Sequence, residues 1–415
     1  MEPYLTDRHE AWRAQVRAFA EATIAPVAAA YDASATFPWA TVRAMADEGL
    51  FGLPWPSAWG GGDWDTFGYL LAVEELARVD ASHAITVSAH TTLGTSPIVS
   101  FGTLSQRERF VPLLACGRVL AGFGLTEPGA GSDASASRTT AVRGDGGWIL
   151  NGSKIFITHA GVGEVFVVTA VTDRSRGAHG ITSFIVCKPN VETDEAARYG
   201  LGHAPELPFT PGVRAGKKED KLGWRASDTR ELLLENAFVP DDQVLGDIGE
   251  GFVNFLKTLD AGRIGLAALA LGLAQGAFDV AFRYVQERRQ FGQRLVDFQG
   301  VQFRLADMAT DIQAARHLVY HAAWCKEHGR PFTKEASMAK LYATDVAMRV
   351  TTQAVQLLGG LGYSQRAPVE RMMRDAKICQ IGEGTNEIQR LVIARQLLRR
   401  ASAAQERAAT LATVA

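Results

Sequence analysis

The hydrophobic period of this chain changes twice, from helical to strand-like and back, so its core has to be assembled from three blocks in that order. Over residues 6 to 118 apolar positions recur at helical spacing, as in DRHEAWRAQVRAFAEATIAPVAAAYD, TVRAMADEGL and WDTFGYLLAVEELARVD. Between about 119 and 245 short β runs take over, EVFVVTAV, ITSFIVC and TRELLLENAFVP, punctuated by Gly, Asn, Asp and Pro. After Gly251 the helical pattern returns: Val301, Leu305, Met308, Ile312, Ala315, Val319 and Ala322 alternate four- and three-residue steps, the seam of a bundle helix. Further helices are predicted over about 252–287, 333–358 and 384–400. The predicted fold class is mainly α with a middle β domain. Its parts are an α-helical domain over 1–118, a β domain over 119–245, a helical bundle over 246–401 and a flexible tail over 402–415, where the residues turn small and polar.

Three local features carry their own expectations. Trp59-Gly60-Gly61-Gly62 reads as plain turn chemistry between helices. In GWILNGSKIFIT the Asn-Gly pair between apolar runs reads as a tight hairpin turn, which places Phe156 and Thr158 on a strand. Residues 189–211 are Gly/Pro-rich and without period, and read as a surface insertion.

A formal charge of −2 lacks the basic excess that phosphate-backbone binding needs, so no nucleic-acid partner is expected. Cys116, Cys187, Cys325 and Cys379 are scattered without metal-ligand spacing, so they are expected to be reduced thiols with no metal site. The opening MEPYLTDRHEAW has neither an apolar h-region nor transit-peptide character, and no apolar run reads as a membrane span, so a cytoplasmic protein is expected.

The string Gly124-Leu125-Thr126-Glu127-Pro128-Gly129-Ala130-Gly131-Ser132-Asp133 sets flexible positions among hydroxyl and carboxylate groups. Such a loop either lets its backbone approach a ligand, with Thr126 and Ser132 holding a flavin edge or a pyrophosphate, or is a simple Gly-rich turn. TEPGAGSD followed by NGSKIFIT, together with KKEDKLGWRASDTRELLLENAFVP, LDAGRIGLAALALGLAQGAFD, ERRQFGQRL, QLLGGLGY and RDAKICQIGEGTNEIQRLVIAR, resembles the acyl-CoA dehydrogenase family over nearly the whole chain.

That resemblance implies a helical N-terminal domain, a small β-barrel or sandwich and a C-terminal four-helix bundle, with FAD between the last two. By position, Phe123, Leu125 and Thr126 would face the flavin ring, with Phe156, Ile157 and Thr158 at its other edge. Gly131 belongs to the cofactor loop, and Ser132 would meet a phosphate and the substrate. Phe156 stands where the family commonly has Trp, which keeps an aromatic contact with less area. The adenine-dinucleotide half would meet Arg288, Phe291 and Gln299, together with Gln356, Gly359 and Gly360 from a neighbouring subunit; Thr385 and Glu387 would contact the dinucleotide as well. A homotetramer and electron-transfer flavoprotein as electron acceptor are implied in the same way.

Within EGT, Glu383 matches the family's catalytic base, and Gly262 occupies the position where some relatives place that base instead. Asp260, Arg263, Gly382 and Gly384 would line the acyl-CoA channel; the plainer reading of Asp260 and Arg263 is an intrahelical ion pair. An ordinary glutamate, with a pKa of about 4.3, is a poor match for a thioester α-proton. Desolvation has to raise it and hydrogen bonds have to stabilise the enolate, and the resemblance implies that these come from the N–H of Glu383 and a flavin ribityl hydroxyl. The implied products are a trans-2-enoyl-CoA and reduced FAD, the β-hydride passing to flavin N5. LDAGRIG and VSAHTTLGTSPI most resemble short-chain members, whereas Gly382, where many of those have Tyr, leaves room for a branched or longer acyl group. No arginine around 87–95 would pair a distal carboxylate. An acyl-CoA oxidase using O2 and a non-catalytic FAD-retaining scaffold are the rival readings.

Overall fold

The computed structural model describes residues 4–414 apart from position 203, and side chains apart from positions 400 and 403–415. The N-terminal block consists of α1 (Asp7–Phe19), α2 (Ala25–Ser34), α3 (Trp39–Asp47), α4 (Thr66–Ala77), α5 (Ala81–Ser88), α6 (Ser96–Phe101) and α7 (Leu104–Ala115). Side-chain oxygens open several of these helices: Thr6, Asp65, Asp80 and Thr103 each accept a backbone N–H of the first turn, satisfying donors that a helix start leaves unpaired. A π-helical stretch, Ala89–Thr95, joins α5 to α6.

The middle block holds β1 (Ala121–Gly124), β2 (Thr140–Gly144), β3 (Gly147–Thr158), β4 (Val165–Val171), β5 (Ile181–Cys187), β6 (Val213–Lys218), β7 (Thr229–Pro240) and β8 (Val244–Leu245). They form one sheet in the order β6-β7-β3-β2-β4-β5-β8, with β1 pairing in parallel on the part of β4 that β2 leaves open. β4 and β5 are buried at every residue, which is why their sequences are continuous apolar runs rather than alternating ones.

The hairpin lies elsewhere than predicted. β3 runs straight through Asn151-Gly152, and the turn is at Asp145-Gly146, where Gly144 and Gly147 close the ladder and Gly146 takes a φ of 69°. Asp-Gly carries the same turn chemistry as Asn-Gly. The glycine at 152 serves another end: it sits at a register shift between β3 and β7, where a Cβ would come within 2.5 Å of Thr139 Oγ1. Phe156 and Thr158 do lie on the strand.

Residues 189–211 are likewise no surface insertion. They contain a short helix, α8 (Thr193–Ala197), and bury Ala196 and Leu201 in the helical core and Ala204 and Leu207 beside β1, β4 and α7. An irregular segment that buries one side chain at a time leaves no period to read. The Gly60–Gly62 stretch is the plain turn expected, and a Cβ at Gly61 would sit 2.1 Å from the Trp55 carbonyl oxygen.

The C-terminal block comprises α9 (Gly251–Glu287), a small hairpin of β9 (Arg289–Gln290) and β10 (Gln293–Arg294), then α10 (Gln299–Glu327), α11 (Thr333–Leu358), α12 (Gly360–Tyr363), α13 (Val369–Cys379) and α14 (Asn386–Val414). The helical backbone of α14 thus continues past residue 402, and the side chains of the predicted tail lie outside the described residues from 403 on. At 37 residues α9 is long and apolar enough to cross a bilayer, which the sequence reading did not foresee, yet 78% of that apolar window is buried within the protein. It is the central beam against which α4, α10 and α11 pack.

Two glycines allow α4 to approach this beam closely. A Cβ at Gly272 would stand 2.1 Å from the Glu74 carbonyl oxygen, and one at Gly276 2.0 Å from that of Arg78. Alanine would gain about 1 kcal/mol in helix propensity, but overpacking costs about 1–3 kcal/mol and the neighbour here is backbone. Gly272→Ala is therefore expected to lower the thermal unfolding midpoint; an unchanged or higher midpoint would show that α4 is free to shift.

Candidate active site

Glu383 lies on the short connection between α13 and α14, in a left-handed conformation with φ of 54°, followed by Gly384 at 88°. A glutamate so held costs about 1–3 kcal/mol and persists only where the surroundings over-determine it. Gln389 Nε2 donates to the carbonyls of Glu383 (3.3 Å) and Gly384 (2.8 Å), and Lys340 Nζ donates to that of Gly384 (2.9 Å). Thr385 Oγ1 accepts the N–H of Ile388 at the start of α14 (3.3 Å), while Glu387, two residues after Thr385, is exposed.

Part of Glu383 remains exposed, but its Oε2 is buried and has no hydrogen-bond partner. That oxygen fills the space that a side chain at 262 would need: a Cβ on Gly262 would lie 2.5 Å from Oε2 and 2.9 Å from Leu93 Cδ2. Burial raises the carboxyl to about 7, against the opposing pull of Lys340 and Arg263. One turn along α9 a Cβ on Gly265 would meet the Tyr69 hydroxyl at 2.3 Å, and that hydroxyl is paired with Ser88 Oγ at 2.9 Å.

Toward the N-terminus of α9, Arg263 Nη1 donates to Asp260 Oδ1 at 2.6 Å, the expected intrahelical pair, while Thr333 donates to Asp260 Oδ2 at 2.6 Å. Arg263 Nε is buried without a partner, a donor free for a ligand. Further along, Phe255 stacks on Phe123 with ring centroids 4.0 Å apart. From Phe255 to Gly262 is two helical turns, about 10 Å at 1.5 Å per residue. So α9 meets the β-domain wall at one end of this distance and the Glu383 carboxylate at the other.

The β-domain wall is fastened internally. Ile155 N–H donates to the Thr126 carbonyl (2.9 Å), laying the Thr126 loop along β3. Beneath it Lys154, fully buried, donates to Glu127 Oε1 at 2.6 Å, and Glu127 also accepts from Ser137, Arg138 N–H and Thr139 N–H. Burial would raise the Glu127 carboxyl, but the ammonium and these donors hold it at about 2; burial brings Lys154 down to about 8 against the attraction of Glu127. Both stay charged at neutral pH. Buried His90, lowered to about 3 by desolvation, is neutral; its Nδ1 accepts the Ala121 N–H (3.1 Å), and His159 Nδ1 donates to the Ala121 carbonyl (2.8 Å). β1 is thereby gripped just before Phe123.

Three family models cover the chain: the acyl-CoA dehydrogenase N-terminal domain over residues 6–118, the middle domain over 122–237 and the C-terminal domain over 249–398. The chain belongs to the acyl-CoA dehydrogenase family. It is 46% identical over 96% of its length, and 100% of the relative's, to a short-chain specific acyl-CoA dehydrogenase of Clostridium acetobutylicum. The solved butyryl-CoA dehydrogenase of Megasphaera elsdenii superposes with a TM-score of 0.89 at 45% identity, covering 96% of this chain and 100% of that one. A chain from a study of the electron transferring flavoprotein of Acidaminococcus fermentans superposes with a TM-score of 0.90 at 46% identity, with the same coverage. The three-domain acyl-CoA dehydrogenase architecture expected from the sequence is the one found.

Acyl-CoA dehydrogenases are FAD flavoproteins and oxidise acyl-CoA thioesters, and this chain is an enzyme of that class. The residues present suit FAD. Phe156 is 61% exposed on the sheet surface and held at a φ of 59°, a flat apolar platform beside the Thr126 loop. A Cβ at Gly129 or Gly131 would meet nothing within 4 Å, so this loop is open to close approach, with Ser132 exposed next to it. Of the strand residues expected at the flavin, Phe156 and Thr158 retain exposure, whereas the side chain of Ile157 packs into the β-domain core, leaving only its backbone for a ligand. Arg288, Phe291, Gln299, Gln356, Gly359 and Gly360 are all exposed on the bundle, with Phe291 at 94% and a φ of 52°. Beside Glu383, a Cβ at Gly382 would meet only the Ile378 carbonyl oxygen, at 3.5 Å.

The sequence reading missed Lys340, Lys154, Gln389 and Tyr69. Lys340 had a legible signal: it stands in the stripe Ala336, Lys340, Ala343, Ala347, whose spacing marks a buried helix face. Breaking the Glu127–Lys154 pair strands a buried charge, so Lys154→Met alone is expected to cost about 3–5 kcal/mol in urea unfolding, and Glu127→Gln with Lys154→Met to recover much of it. Additive losses would mean that the two groups are not coupled.

Proposed function

We propose that this enzyme removes the α-proton of a short, straight or branched acyl-CoA with Glu383 and so converts it to a trans-2-enoyl-CoA. The observation that supports this reading most directly is Glu383 Oε2, buried, without a partner and raised to about 7. A carboxylate in water is too weak a base, but one stripped of solvent and hydrogen bonds is matched to proton transfer near neutral pH. Glu383 takes the proton; FAD, when bound, supplies the acceptor for the β-hydride. Among the described residues no acceptor takes the N–H of Glu383, so it is free for the thioester carbonyl, where it would stabilise the developing enolate. Buried Arg263, whose Nε has no partner, and partly buried Asp260 are polar groups suited to the pantetheine and nucleotide of CoA.

Short-chain preference is supported by the relatives from Clostridium acetobutylicum and Megasphaera elsdenii, and tolerance of a branch by the open space at Gly382. Electron transfer flavoprotein as acceptor is supported by the likeness to the chain from Acidaminococcus fermentans. A homotetramer agrees with large apolar side chains left exposed on the bundle, Phe282, Phe291, Phe303, Tyr363 and Leu398 among them. Among the described residues no disulfide joins Cys116, Cys187, Cys325 or Cys379.

Glu383→Gln is expected to keep bound FAD but to lose anaerobic flavin bleaching by acyl-CoA by orders of magnitude, because an amide cannot accept the proton. Normal bleaching in that variant would move the base elsewhere. In the wild type the bleaching rate should rise with pH through about 7 as the carboxyl ionises, and fall on the acid side. A rate that is flat between pH 5 and 9 would contradict the assigned base. Straight and branched acyl-CoAs from four to sixteen carbons, scored by bleaching rate, should give the highest rates at the short end, and reoxidation by electron transfer flavoprotein rather than by air would set a dehydrogenase apart from an oxidase.

A further inference from the structure

Lys340 sits in mid-α11 with no surface exposure, among Ala336, Ala339 and Ala343. A buried ammonium is costly unless it is paired and hydrogen-bonded. Its hydrogen bonds here go to the segment that carries the base: Nζ donates to the Gly384 carbonyl at 2.9 Å and to Asn386 Oδ1 at 2.9 Å. Asn386 is fixed in turn, its Nδ2 donating to Thr344 Oγ1 (3.0 Å) and to Asp345 Oδ1 (2.8 Å). With Gln389 on the carbonyls of both Glu383 and Gly384, the left-handed pair is tied to α11 and α14 at once. Without those ties a glutamate has every reason to leave this region of backbone space, and its carboxylate would leave the slot at Gly262.

We propose that Lys340 is a positioning residue for the base: its ammonium fixes the turn at 383–384, and its charge offsets the burial of the Glu383 carboxylate. The proposal rests on the reading of Glu383 as the base. The groups that face this ammonium are Arg263 from α9, Cys379 from α13, Glu383 and Glu387 from the base segment, and Asp345 on its own helix. Burial lowers Lys340 to about 8, so it is still cationic where Glu383 titrates, at about 7. The sign follows. With the lysine charge removed, the carboxylate keeps Arg263 alone among the cations that stabilise it, its pKa rises, and the base is ionised only at higher pH.

The test compares FAD-loaded wild type with Lys340→Met, which removes charge and donor, Lys340→Gln, which removes charge alone, and Lys340→Arg, which keeps both. Two readouts are followed against pH: flavin bleaching by butyryl-CoA, and the infrared carboxylic-acid band that is lost in Glu383→Gln. Lys340→Met and Lys340→Gln should move both midpoints upward by about one unit, roughly a tenfold loss of bleaching on the acid limb. Lys340→Met should also lower the alkaline plateau about tenfold through misplacement of the carboxylate, and Lys340→Arg should restore the midpoint. Midpoints and plateau equal to wild type in Lys340→Met would overturn the proposal, as would equal shifts in Lys340→Gln and Lys340→Arg. If Lys340→Met does not accumulate with FAD, the contrast between Gln and Arg decides alone. A wild type that is never bleached would sink the dehydrogenase reading instead, while the infrared midpoint would still report on Lys340.

Discussion

A carboxylate oxygen that is buried and given no hydrogen bond is among the least comfortable arrangements a protein can hold, and the Glu383 Oε2 slot organises much of what surrounds it. The slot exists because residue 262 on α9 has no side chain. It is filled because the 383–384 turn adopts a left-handed backbone that aims the carboxylate at α9. Desolvation then does the chemical work, lifting the group toward neutrality, while Lys340 and Arg263 limit the rise.

Each of the three blocks contributes a wall for a physical reason of its own. The helical blocks share one core, in which glycines of α9 at 272 and 276 admit α4 to backbone contact. That packing leaves the beam's N-terminal turns meeting the β domain through Phe255, while Asp260 and Arg263 bond to each other and to α11. The β domain answers with β1 and β3, and these are held not by apolar contact alone but by buried polar groups that are almost fully paired: Glu127 with Lys154 under the Thr126 loop, and two histidines on the backbone of Ala121. Such networks stabilise only when satisfied, and they specify one arrangement when they are.

Part of the backbone strain falls at the candidate site, at three of the eight described non-glycine residues with positive φ. Phe156, Phe291 and Glu383 all take positive φ without being glycine, and all three are residues at which the family resemblance places cofactor or catalysis. Strain of this kind persists where surrounding contacts over-determine it, as Gln389 and Lys340 do for Glu383.

The block order and the three-domain architecture were legible in the amino-acid string, because hydrophobic period and short motifs are local properties. Local signals also misled: Asn151-Gly152 and Asp145-Gly146 carry the same turn chemistry, and only the pairing of β3 with both β2 and β7 decides which of them turns. Residues 189–211 looked like surface, since an aperiodic segment that buries Ala196, Leu201 and Leu207 one at a time leaves no trace in spacing. What the sequence determined by itself was therefore the sequence of folds and the identity of the candidate base. What only the tertiary structure decided was the state of that base. A pKa depends on which groups approach from elsewhere in the chain, here Gly262, Arg263 and Lys340, 121, 120 and 43 positions away, and that distance in space is not written in the order of residues.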